Sequence, residues 1–255
     1  MKKILIMITV LFISSCNQNN NSTSEGIQWV GENQVANNYV GKGIFHWYNA
    51  EWAMSYTYFS GALEEDPSLF APHVVLAWLS SGEKREMHVN KAKELVSEKN
   101  ENSKLFVSML DLSGAENRQK RHAIWKEMHE RHPNGSFIHY LYANSMQNPN
   151  ERIEELTSLL EKRKAADGWY SHIFNLLAYI HYNNGNKEKA KSYFDEYVKS
   201  YPDGYNPHDS MGEYYYMEED YETSLIHYEK ALSKFPRSIS AYNKVKEIKE
   251  KLGKN

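Results

Sequence analysis

Residues 170–203 read YSHIFNLLAYIHYNNGNKEKAKSYFDEYVKSYPD, and residues 204–237 read GYNPHDSMGEYYYMEEDYETSLIHYEKALSKFPR. Each stretch is 34 residues long, and the two align without a gap. Pro202 pairs with Pro236, Ala178 with Gly212, Phe194 with Tyr228. Apolar residues recur at the helical spacing, and the cluster Asn183-Asn184-Gly185-Asn186 breaks the first stretch in its middle. Self-similarity at this period predicts a stack of helical hairpins, each one burying its apolar face on the next.

Working outward, Pro133 precedes Pro202 by 69 residues and Pro67 precedes Pro133 by 66, close to two periods each. The intervening boundaries fall beside Asn100, Asn102 and Gly168. A residue before proline is pushed out of the α region, so Asp66, His132, Tyr201 and Phe235 each end a helix. The expected pairs are 34–48 with 50–65, 70–81 with 84–98, 102–112 with 115–131, 135–147 with 150–163, 169–183 with 187–200, and 205–217 with 221–234. A charged helix over 238–251, with Val245, Ile248 and Leu252 turned inward, would cap the stack. The fold class is all-α, a superhelical solenoid of about six hairpins plus a cap.

The start of the chain has a different composition. Lys2 and Lys3 precede an apolar run, Ile4 to Ile13, which is too short to span a bilayer. Ile13-Ser14-Ser15-Cys16 follows and resembles the lipobox of bacterial lipoproteins. That resemblance implies cleavage before Cys16, acylation of Cys16, and a place in the bacterial cell envelope. Asn17, where an aspartate would favour inner-membrane retention, points to the outer membrane. Cys16 is the single cysteine, so it has no internal disulfide partner. The expected organisation is a signal peptide at 1–15, a polar tether at 16–33 and a repeat domain at 34–255, with Trp29 and Val30 close enough to touch the domain.

The repeats resemble the tetratricopeptide repeat. That family places a small residue at its eighth position, alanine at its twentieth and twenty-seventh, an aromatic at its twenty-fourth and proline near its end. The last full repeat supplies Gly212, Tyr228, Ala231 and Pro236, with Ser224 in place of an alanine. The preceding one supplies Ala178, Ala190, Phe194 and Pro202, with Tyr197 in place of the other alanine. The first supplies Gly43, Phe59, Ala62 and Pro67, with Ser55. Around Pro133 only Trp125 and the proline fit, beside Met109, Arg121 and Met128.

The resemblance implies a right-handed superhelix whose concave groove is lined by the first helix of each pair. The residues it places there are His172, Asn175, Tyr179 and Tyr182, then Asn206, Asp209, Glu213 and Tyr216. This surface is polar, aromatic and acidic, without lysine or arginine. It implies a neutral or basic peptide or protein partner and excludes an acidic tail. A tyrosine-rich groove also leaves glycan or small-molecule capture open. In the first three hairpins the corresponding residues include Ile44, Trp47, Val74, Trp78, Phe106 and Leu110. They either pack against the N-terminal segment inside a tightly curved superhelix or form an apolar binding patch.

The formal net charge is −3, which gives no reason to expect nucleic acid as a partner. A mean hydropathy of −0.72 rules out a polytopic membrane protein. No nucleotide-binding, serine-hydrolase or H-E-x-x-H motif occurs, so neither catalysis nor a cofactor is expected. His122, His129 and His132 share a helical face that His139 could join, but no fixed ligand motif accompanies them. No metal site is expected from them.

Overall fold

The computed structural model describes residues 26–254, which form thirteen α-helices and no strand. Helices α1 (Gln34–Tyr48) and α2 (Trp52–Glu65) make the first hairpin, α3 (Phe70–Trp78) and α4 (Gly82–Leu95) the second. The third is α5 (Glu101–Ser108) with α6 (Arg118–Arg131), and the fourth α7 (Ser136–Ser145) with α8 (Pro149–Ala165). The fifth is α9 (Ser171–Asn183) with α10 (Lys187–Ser200), the sixth α11 (Asn206–Met217) with α12 (Tyr221–Lys234). Helix α13 (Ile239–Lys251) closes the stack. Residues 1–25, with the signal peptide, Cys16 and most of the tether, lie outside the described residues.

The four pre-proline residues end their helices as proline sterics require. Asp66, His132, Tyr201 and Phe235 have φ between −145° and −138° and ψ between 65° and 93°. Within the first, fifth and sixth hairpins the turn is made by one left-handed residue, at Ala50, Gly185 and Glu219. In each case the next residue's N–H reaches back to a carbonyl of the ending helix: Glu51 to His46, Asn186 to His181, Asp220 to Tyr215.

The serines that replace alanine have a consistent role. Ser55 Oγ donates to the Gly43 carbonyl at 3.0 Å, and Ser224 Oγ to the Gly212 carbonyl at 2.7 Å. A Cβ at Gly43 would sit 3.0 Å from the Phe59 ring, and one at Gly212 would sit 2.9 Å from Tyr228. Glycine lets the helices come that close, and serine satisfies the carbonyl thus brought within its reach.

The middle of the chain departs from the expected spans. Helix α3 stops at Trp78, and α5 stops at Ser108, before a 3₁₀ turn at Met109–Asp111. A second 3₁₀ turn, Ala115–Asn117, precedes α6. Arg121, where the repeat wants alanine, donates to the carbonyls of Leu112 at 2.6 Å and Gly114 at 2.7 Å. Arg85 donates to the Leu110 carbonyl at 3.0 Å. Two guanidinium groups thus hold a connection that cannot satisfy its own carbonyls.

The apolar residues of the first three hairpins are packed internally. Trp29 stacks on Phe59 and meets Phe106 at 5.3 Å and Phe137 at 4.8 Å between ring centroids. Trp47 and Trp78 complete the cluster. Hydrogen bonds to the backbone fix the approach: Gln28 N–H donates to Ser103 Oγ, and Asn100 Nδ2 donates to the Gly26 carbonyl. Residues 26–29 therefore belong to the folded unit rather than to the expected tether, while Val30 stays exposed.

Replacing Trp29 with alanine should lower unfolding free energy by about 3 kcal/mol, read by urea denaturation, while Val30→Ala should change it by less than about 0.5 kcal/mol.

Candidate interaction groove

The turn between α1 and α2 sits on the fifth and sixth hairpins. Asn49 Oδ1 accepts from Ser171 Oγ at 3.1 Å, and the Tyr197 hydroxyl, 3.3 Å from both the Asn49 carbonyl and Oδ1, bonds there too. Glu51, 1% exposed, is the centre of this contact. Its Oε2 accepts from the Tyr201 hydroxyl at 2.9 Å and lies 2.6 Å from His46 Nδ1. Its Oε1 accepts from the backbone N–H groups of Tyr205 at 3.1 Å and Asn206 at 3.4 Å. Helix α11 has no side-chain cap from its own N-cap residue, so a carboxylate 155 residues away in sequence serves as its cap.

This closure corrects the reading of the groove at its first position in both repeats. His172 is buried, with its ring stacked 4.1 Å from Tyr48 and edge-on to Tyr140. Burial holds its imidazole neutral, with a pKa of about 3. Asn206 is buried too, and its Nδ2 donates to the Tyr197 hydroxyl at 3.1 Å. The solenoid curls tightly enough for its own first turn to cover both residues.

The other six predicted residues lie on a strip shared by α9 and α11, which α13 extends. Tyr179 donates to Glu213 Oε2 at 2.5 Å, Tyr182 to Glu218 Oε1 at 2.8 Å, and Tyr216 to Glu247. Each bond ties one first helix to a neighbouring element. Burial and Glu213 together push the Tyr179 phenol well above its usual range, so it remains a donor.

Two lysines that the sequence reading does not place here join the strip. Lys187 pairs with Glu218 at 2.9 Å, and Lys244 pairs with Glu247 at 2.9 Å while lying 4.0 Å over the Tyr216 ring. Among the described residues, no cation pairs with Glu213 or Asp209. Asn175 and Asp209 occupy equivalent places, 34 residues apart. Each has a buried Oδ1 with no hydrogen-bond partner among the described residues. Burial, then the charge of Glu213, pushes the Asp209 carboxyl up to about 6. The strip between the two Lys–Glu pairs is thus a set of oxygen acceptors with too few donors.

Glu218, Glu247, Asn49 and Glu51 are absent from the sequence-based site. Glu247 lies 34 residues after Glu213, so the repeat ladder carried through α13 would have found it. Nothing local marks Glu51. Of the three histidines expected to share a face, His122 and His129 lie on α6 and His132 just past its end, and His122 bonds Ser145 Oγ at 2.8 Å. His129 alone of the three approaches His139.

The family described as tetratricopeptide repeat matches residues 176–204, most of the fifth hairpin. No curated protein matches the sequence. Among solved structures, a human IFIT1 dimer with m7Gppp-AAAA is 13% identical with a TM-score of 0.51, covering 84% of this chain and 55% of that one. The Cut9–Hcn1 hetero-tetramer of APC/C is 13% identical with a TM-score of 0.48, covering 84% and 42%. TTC0263, a thermophilic tetratricopeptide-repeat protein of Thermus thermophilus, is 14% identical with a TM-score of 0.44, covering 84% and 98%. The chain spans about half the length of the first two. At these identities the likeness is one of fold: the protein is an α–α solenoid of tetratricopeptide-like helical hairpins.

Two substitutions test the site. Glu51→Gln removes the buried charge and one of the two acceptor oxygens that four groups share, and should cost about 2–3 kcal/mol in urea unfolding. For Asp209, the folded pKa of about 6 lies above the unfolded value, so folding takes up a proton between roughly pH 4 and pH 6 and stability falls across that window as pH rises. Asp209→Asn should therefore be about 1 kcal/mol more stable than the native chain at pH 7.5, after allowance for partial exposure, and nearly equal to it at pH 4, in paired denaturation curves.

Proposed function

We propose that this protein is a non-catalytic scaffold, tethered to the bacterial cell envelope through lipid on Cys16, that holds a basic or neutral peptide segment of a protein partner along the α9–α11–α13 strip. The observation that carries the reading is the surplus of acceptors at Asn175, Asp209 and Glu213. A lysine ammonium, an arginine guanidinium or a run of peptide N–H groups supplies the donors that these oxygens lack. The cation also relieves the cost of ionising Asp209 beside Glu213.

Other partner classes fit less well. The acidic strip repels phosphate, so the m7Gppp-AAAA of the IFIT1 structure is not carried over to this chain. The phenol protons of Tyr179, Tyr182 and Tyr216 are donated to glutamates, which leaves these hydroxyls no donor to offer a sugar. On α9 and α11 the groove begins beyond His172 and Asn206, which lie buried beside the end of α1 and the α1–α2 turn.

The full lipidated chain, cross-linked in native membranes and recovered, should bring down a partner whose yield falls at least about tenfold in the Tyr179→Ala/Asp209→Ala double variant. Cys16→Ser should release the protein from the membrane fraction. Unchanged recovery with the double variant would sink the groove assignment, and unchanged membrane association of Cys16→Ser would sink the lipid anchor.

A further inference from the structure

Three helices that contribute nothing to the groove bring His129, His139 and Glu155 together from α6, α7 and α8. One ligand atom of each lies within 4.8 Å of the other two. His139 Nε2 and Glu155 Oε1 are 2.5 Å apart, and the two imidazole centroids are 4.4 Å apart. Ligands of a tetrahedral zinc ion stand about 3.4 Å from one another, so small side-chain shifts would place these three atoms around one ion.

The surroundings prepare the set for that use. His139 is buried, and its ring faces that of His129. His129 has a buried ring nitrogen, Nδ1, without a hydrogen-bond partner among the described residues. Tyr142 stacks on His129 at 5.0 Å and on His122 at 5.7 Å, which fixes the His129 ring. Glu155 is 29% exposed, so an ion can enter and water can fill a fourth position.

We propose that His129, His139 and Glu155 form a binding site for a divalent transition metal of the zinc type, which ties the third hairpin to the fourth. Two imidazoles and one carboxylate suit zinc or cobalt, whereas magnesium and calcium want more oxygen. On binding, the His139 proton moves from Nε2 to Nδ1, so the step needs no net proton loss from the ring. The ion bridges one nearest-neighbour junction of the solenoid, and binding to the folded state alone raises its stability. A reading along the α6 face reaches His139 as a neighbour but not Glu155, because the carboxylate comes from α8 and is brought in by packing.

The test uses the full chain with Cys16→Ser, so that no thiol competes, titrated with cobalt(II) alone and then with zinc(II). One equivalent of cobalt should give visible ligand-field bands of tetrahedral intensity that zinc abolishes, and zinc should raise the melting temperature. Glu155→Gln and His129→Gln should each weaken binding by at least about tenfold while circular dichroism stays helical. His227→Gln, which alters the separate His208–His227 pair, should leave binding unchanged. No stoichiometric bands, native affinity in both ligand variants, or loss of binding in His227→Gln would each overturn the proposal.

Discussion

One buried carboxylate sets the geometry of this solenoid. Glu51 is removed from water and satisfied by donors from α1, the end of α10 and the start of α11. A charge buried this way is tolerated only where its lone pairs are filled. The requirement holds the first hairpin turn against the fifth and sixth hairpins, so the curvature of the whole stack is fixed by a contact between its ends. Most solenoids depend on neighbours alone. Here a long-range contact is added to the series.

That contact divides the molecule into two regimes. A single core runs from Ala36 to Tyr197 across the first five hairpins, with the N-terminal Trp29 packed against it. Beyond it, the sixth hairpin and α13 join through two small clusters, one around Phe194 and Tyr214 and the other around Tyr228 and Ile248. The acceptor strip runs from α9, which is part of the main core, onto the helices of these clusters. The cap is also less uniformly charged than its sequence implied: Ile239 and Tyr242 are exposed at its start.

The departures from the repeat pattern have physical causes. Ser55 and Ser224 serve glycines that let helices approach closely, Ser55 with Gly43 in the first hairpin and Ser224 with Gly212 in the sixth. Arg121 stands in an alanine's place because the α5–α6 connection needs a donor for its free carbonyls. In each case the motif residue is lost and the packing or hydrogen-bonding requirement behind it is met by another side chain.

The sequence by itself determined the local structure. Proline spacing, helical periodicity and turn residues depend on backbone sterics within a few positions, so the hairpins, their order and the cap were legible before any coordinates. The family resemblance, not the period, put Asn175, Tyr179, Asp209 and Glu213 on one helix face, and the 34-residue spacing only relates Asn175 to Asp209 and Tyr179 to Glu213. The tertiary structure alone decided which of those positions stay open, since the burial of His172 and Asn206 depends on how far the superhelix curls. It also decided the pairing of Glu51 with α11 and the meeting of His129, His139 and Glu155. Both join separate helices, and the distance between helices is set by the summed packing of every hairpin between them.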